Sequence, residues 1–102
     1  MDILYFGFSG SDLLEAEAAM ELLRLERFKS IVLGCKLAIG LTRTDSGGVR
    51  YEVSLDVVTT ADGAALIGHG ISESAETAIR SAFDSAEKQL ETAIVRAGRQ
   101  SR

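Results

Sequence analysis

A chain of 102 residues is long enough for one compact domain that buries about 60 to 70% of its unfolded surface and folds without covalent staples. Fifteen acidic against eleven basic residues leave a net charge of −4, which excludes non-specific attraction to polyphosphate as the main mode of binding, so any nucleic-acid contact has to be local. One cysteine, Cys35, excludes an internal disulfide framework. With no leader-like segment and no apolar run of membrane-spanning length, the expectation is a single cytoplasmic domain over 1–102.

Met1 to Phe8 is short, apolar and rich in β-formers, and reads as a strand. Ser9, Gly10 and Ser11 break it, and Ser11 or Asp12 can cap a helix running to about Arg27. That helix carries two apolar stripes. Leu14, Ala18, Leu22 and Leu25 form one, and Leu13, Ala16, Met20 and Leu23 form a second on the opposite side. A helix lying on a sheet buries only one such face, so the second stripe is a candidate protein interface, with homodimer formation the simplest use.

Ile31 to Thr44 alternates with period two, placing Ile31, Leu33, Cys35, Leu37, Ile39 and Leu41 on one face. Asp45 to Gly48 is turn chemistry, and a second alternating strand through Tyr51, Val53, Leu55 and Val57 completes a hairpin. Thr59 to Gly63 reads as a further turn. Ala64 to Ile71 is a weaker strand, because Gly68 and Gly70 cost it packing and entropy.

Ser74 to Ala97 is the strongest element. Its apolar residues, mostly alanine with Ile79, Phe83, Leu90 and Ile94 as the large ones, recur at threes and fours, so one narrow face can lie close on a sheet. Gly98 is a plausible stop. The order β-α-β-β-β-α implies an α+β domain: a four-stranded sheet, simplest as an antiparallel meander with one helix inserted after the first strand, and both helices on one face. Leu33, Leu37, Ile39, Tyr51, Val53 and Leu55 should share the core with Ile79, Phe83, Leu90 and Ile94.

No constellation for catalysis or metal binding stands out, so no enzyme, cofactor or small-molecule substrate is expected. His69 has no second histidine to work with, Cys35 has no neighbouring base, and Glu52 and Asp56 lie on the solvent face of one strand. The glycines form neither a GxGxxG nor a GK[ST] pattern.

Four segments together carry a family resemblance: LERF at Leu25 to Phe28, the strand from Ile31 through Cys35, YEVSLDV at Tyr51 to Val57, and above all AIRSAFDSAEKQLE at Ala78 to Glu91. They resemble the ribosome hibernation-promoting factor family, also called ribosome-associated inhibitors or sigma-54 modulation proteins, in its short form. The resemblance implies a double-stranded-RNA-binding-domain-like fold. It also implies a stress-response function: binding rRNA on the small ribosomal subunit near the decoding region, where the domain blocks messenger and transfer RNA and holds idle ribosomes inactive. By that resemblance Arg24, Arg27, Arg80 and Lys88 take rRNA-binding positions, and Arg96, Arg99 and Arg102 form a basic tail.

The first helix departs from the family pattern. Where relatives commonly carry several basic residues, this chain has Glu17, Ala19, Glu21 and Leu23, and Met1 to Ser30 holds six acids against three bases. Each missing phosphate contact removes affinity and salt dependence. A second function therefore stands beside the first, that of a family-fold protein that has lost the ribosome and works as a protein-interaction or homodimer module.

Overall fold

The computed structural model describes residues 1–60 and 65–100, of which 97–100 are described by backbone alone. Strand β1 (Asp2–Phe6) leads into helix α1 (Asp12–Leu22), which tightens into a 3-10 segment over Leu23–Phe28. Strands β2 (Val32–Arg43), β3 (Val49–Thr59) and β4 (Ala65–Ser72) follow, then helix α2 (Ala75–Gln100). The architecture is the expected α+β arrangement, with strand order β1-β2-β3-β4 and both helices on one face of the sheet.

The meander is antiparallel only from β2 to β4. β1 runs parallel to β2, with Asp2 opposite Lys36 and Phe6 opposite Gly40. Parallel neighbours need a crossover. Here α1 and its 3-10 extension, about 28 Å of helix in all, make the return journey across the sheet before β2 begins.

Local chemistry sets the element ends. Ser11 holds an extended backbone, and its Oγ accepts from the Leu14 N–H at 3.1 Å, capping α1. Between β2 and β3 the Thr44 N–H donates to the Gly48 carbonyl at 2.9 Å, and Gly47 adopts φ +89°, a left-handed conformation that glycine takes without strain. Of the expected turn from Thr59 to Gly63, residues 61–63 lie outside the described residues, as does position 64, the expected start of the next strand. Gly98 does not end α2, which continues to Gln100.

The core between sheet and helices is built from Leu37, Ile39, Val53, Leu55 and Val57 below, and Ala78, Ile79, Ala82, Phe83, Ala86 and Leu90 above. Leu14, Ala18, Leu25 and Phe28 close one flank. At one end, Phe8 meets the rings of Tyr5 and Tyr51 edge to face, with centroids 5.4 and 5.7 Å apart.

Three expected core residues differ. Leu33 is 67% exposed, because a β-bulge between Val32 and Gly34 sets both against consecutive residues of β3 and leaves Leu33 unpaired. The bulge resets the alternation, so Val32 packs against the core instead. Ile94 is 44% exposed, since α2, about 39 Å long, outruns β4, about 26 Å long. Tyr51 is only half-buried at the edge of the aromatic cluster.

Gly68 and Gly70 do not weaken the packing of β4; they make it possible. Gly68 and Gly70 are buried beneath the alanine face of α2, and a Cβ on them would lie 2.1 Å from the Ala82 carbonyl oxygen and 2.0 Å from that of Ala78. Small residues on both elements bring helix backbone and strand backbone together.

Candidate nucleic-acid interface

The 3-10 geometry of Leu23–Phe28 sorts side chains into rows three residues apart. Leu25 and Phe28 turn into the core, Arg24 and Arg27 turn toward α2, and Leu23 and Glu26 turn to solvent, followed by Lys29 just beyond the segment. Arg80 on α2 faces back toward α1. Of the positions expected to meet rRNA, Arg24, Arg27 and Arg80 thus converge on the seam between the two helices, whereas Lys88 and Arg96 do not enter it.

They converge on carboxylates. Arg24 donates to Glu21 at 2.9 Å and to Asp84, and its Nε lies 3.6 Å from Glu87. Arg27 bonds Glu91, lies 3.5 Å from Glu87, and stacks its guanidinium 4.4 Å over the Phe28 ring. Arg80 lies 3.6 Å from Glu17. The hydrogen bond to Asp84 is the main cause that raises the pKa of Arg24 above its ordinary value; burial opposes it and Glu21 adds to it. Five carboxylates surround three guanidiniums, so the seam is net acidic. A phosphate approaching Arg24 or Arg27 meets guanidiniums that already hold carboxylates, Arg27 being the more exposed of the two.

Lys88 lines a shallow groove with Thr92, Val95 and Arg96, and with Glu91, the partner of Arg27. Among the described residues neither Lys88 nor Arg96 has an ion-pair partner, so these two are the cations of α2 available to an outside anion. The side chain of Arg99, and Arg102 as a whole, lie outside the described residues.

The second stripe of α1 faces solvent. Leu13 is 70% exposed, Met20 and Leu23 are each 67% exposed, and Ala16 lies exposed among them. The first stripe, Leu14 and Ala18 with Leu22 and Leu25, packs on the core. Sequence periodicity alone separated the two faces. It could not show that the arginines are already paired, because Asp84, Glu87 and Glu91 lie some sixty residues downstream of their partners.

The remaining polar candidates stay apart. Burial pushes the Cys35 thiol up from its ordinary value, which lowers the thiolate fraction that a nucleophile or metal ligand requires. His69 is exposed on the open face of the sheet opposite Ser54, and Glu52 pairs with Arg50. Among the described residues no three His, Cys, Asp or Glu side chains gather in a way that could hold a metal ion, and no helix is long and apolar enough to cross a membrane.

A mixed four-stranded sheet covered on one face by two helices, in the order β-α-β-β-β-α, defines the class of fold. Among solved structures it is shared by a ribosomal subunit interface protein from Coxiella burnetii, with a TM-score of 0.75 at 14% identity over 93% of this chain and 99% of that one. It is shared too by the N-terminal domain of Thermus thermophilus Protein Y, with a TM-score of 0.62 at 18% identity over 90% of this chain and 98% of that one. These two carry the fold that the sequence resemblance implies. No protein-family model and no curated protein matches the sequence.

Proposed function

We propose that this chain is a ribosome-associated factor of the hibernation type, seated on the small subunit near the decoding region and occluding messenger and transfer RNA. The observation that carries the reading is the fold shared, over nearly the whole chain, with a protein named for the ribosomal subunit interface. The AIRSAFDSAEKQLE segment supports it, since it builds the helix that covers the sheet. Electrostatics narrows the mode of contact. With Arg24, Arg27 and Arg80 held by carboxylates, Lys88 and Arg96 are the described α2 cations that can neutralise rRNA phosphates. Two such phosphate contacts contribute a slope of log affinity against log salt of about −2. Sedimentation with ribosomes at low and high salt tests this. Lys88→Glu with Arg96→Glu should abolish pelleting while the domain stays folded, and absence of pelleting by the unmodified protein at low salt would remove the ribosome reading.

One specific observation favours a second reading, a protein-interaction module working through the outer face of α1: Leu13, Ala16, Met20 and Leu23 are exposed together. A contiguous apolar face of this kind marks association sites more often than isolated surface leucines do. Met20→Lys with Leu23→Lys, both at exposed positions, should leave the fold intact and remove whatever association that face supports.

A further inference from the structure

We propose that the outer face of α1 is a docking surface for a basic amphipathic helix of a protein partner; the proposal rests on the interaction-module reading and names the chemistry of the partner. Three observations select that occupant. The exposed apolar row Leu13, Ala16, Met20, Leu23 has the three-and-four spacing that another helix packs against. Acids border it at both ends: Asp12 and Glu15 at the first turn, and Glu26 three residues beyond Leu23. These three are exposed and have no ion-pair partner among the described residues, in contrast to Glu17 and Glu21, which hold arginines. Lys29 opposes them at the far end of the same row, and the Met1 amino group lies near Leu22 and Cys35 with Asp2 beside it, so the border stays net negative. Beside the C-terminal end of the row runs a groove of about 210 Å³, lined by Leu22, Leu25, Val32 and Cys35 with Glu26 and Lys29 on its rim, where an apolar side chain of the partner can seat.

The charge pattern decides between occupants. A second copy would pair antiparallel, because the spacing of the row reads the same in both directions: Leu13 would face Leu23 of the other copy, and Ala16 its Met20. That pairing brings Asp12 of each copy close to Glu26 of the other, and like charges placed together at an interface oppose association. A lipid surface calls for lysines and arginines beside the apolar face, and here that border is mostly acidic. Nucleic acid is excluded by the same acids. A helix with leucines at helical spacing and lysine or arginine beside them satisfies both the apolar row and its border.

Two synthetic helical peptides of about 18 residues, roughly 27 Å long, with the same leucine stripe and either lysine or glutamate flanks, serve as probes, read by fluorescence anisotropy and by NMR shifts of the Met20 methyl. The lysine peptide should bind at least about tenfold more tightly than the glutamate peptide. Met20→Lys with Leu23→Lys should lose that binding with the circular dichroism spectrum unchanged. Asp12→Lys, Glu15→Lys and Glu26→Lys together should reverse the preference between the peptides. Equal binding of both peptides, or lysine-peptide binding that survives Met20→Lys with Leu23→Lys, overturns the proposal. A concentration-dependent dimer in sedimentation equilibrium that Met20→Lys with Leu23→Lys abolishes would overturn the basic partner while keeping this face as a protein contact. Neither peptide binding nor self-association would overturn both readings.

Discussion

Gly68 of β4 and Ala82 of α2 meet backbone to backbone: a Cβ on Gly68 would sit 2.1 Å from the Ala82 carbonyl oxygen, with the Ala86 N–H nitrogen and Cβ each 3.0 Å away. No rotation of a flexible side chain can relieve that approach, because the obstacle is helix backbone. Gly68→Ala has to push α2 off the sheet or distort β4, and overpacking of this kind costs about 1 to 3 kcal/mol or more. Urea denaturation should show a lowered midpoint with the slope unchanged. A midpoint equal to that of the unmodified protein would mean that α2 does not lie this close to β4.

Phe83, next to Ala82 on the same helix, is fully buried in the core that also holds Leu37, Ile39 and Leu55. Phe83→Ala removes a buried ring that its neighbours cannot fully replace, for a loss of about 3 to 5 kcal/mol. In a domain of this size each kcal/mol lowers Tm by about 4 to 8 °C, so calorimetry should show a fall well above 10 °C or no folded state at all. An unchanged Tm would sink the packing account of α2.

Most of this architecture was legible in the sequence, and the exceptions have identifiable causes. The alanine face of α2, the cap at Ser11, the β2–β3 hairpin and the two stripes of α1 follow from local periodicity, which tertiary contacts reinforce. Gly68 and Gly70 looked like weak points because their value lies in what covers them, and Ala78 and Ala82 are about ten residues further along the chain. The parallel pairing of β1 depends on the path of α1, which periodicity does not encode. At the candidate site, the family resemblance implies a basic surface that includes Arg24, Arg27 and Arg80. The arginines do converge there, but charge pairing across the seam became visible only once both helices were in place.

That pairing makes the acids of α2 a test of what the arginines are for. Asp84→Asn, Glu87→Gln and Glu91→Gln keep side-chain size while releasing Arg24 and Arg27 from their long-range partners. Exposed ion pairs contribute about 0 to 1 kcal/mol each, so stability should change little. On the ribosome reading, pelleting should strengthen, and the slope of log affinity against log salt should steepen by about 2 as two guanidiniums become available to phosphate. Weaker pelleting would show instead that the carboxylates themselves meet the ribosome and that the arginines are there to orient them.

The bulge in β2 gives the last test, because it inverts what simple alternation expects at two adjacent residues. If period two ran unbroken from Ile31, Leu33 would point into the core and Val32 to solvent. In the structure Val32 pairs with Thr59 and Gly34 with Val58, leaving Leu33 as the extra residue, so Val32 packs on the core and Leu33 projects outward. Removing apolar atoms from a half-buried site forfeits transfer free energy, whereas an exposed site has little to lose. Val32→Ser should therefore cost about 1 to 2 kcal/mol, while Leu33→Ser stays within about 0.5 kcal/mol of the unmodified protein in urea denaturation. The reverse order of the two midpoints would mean that β2 runs without a bulge and that the register of its first turn of pairing with β3 is shifted by one residue.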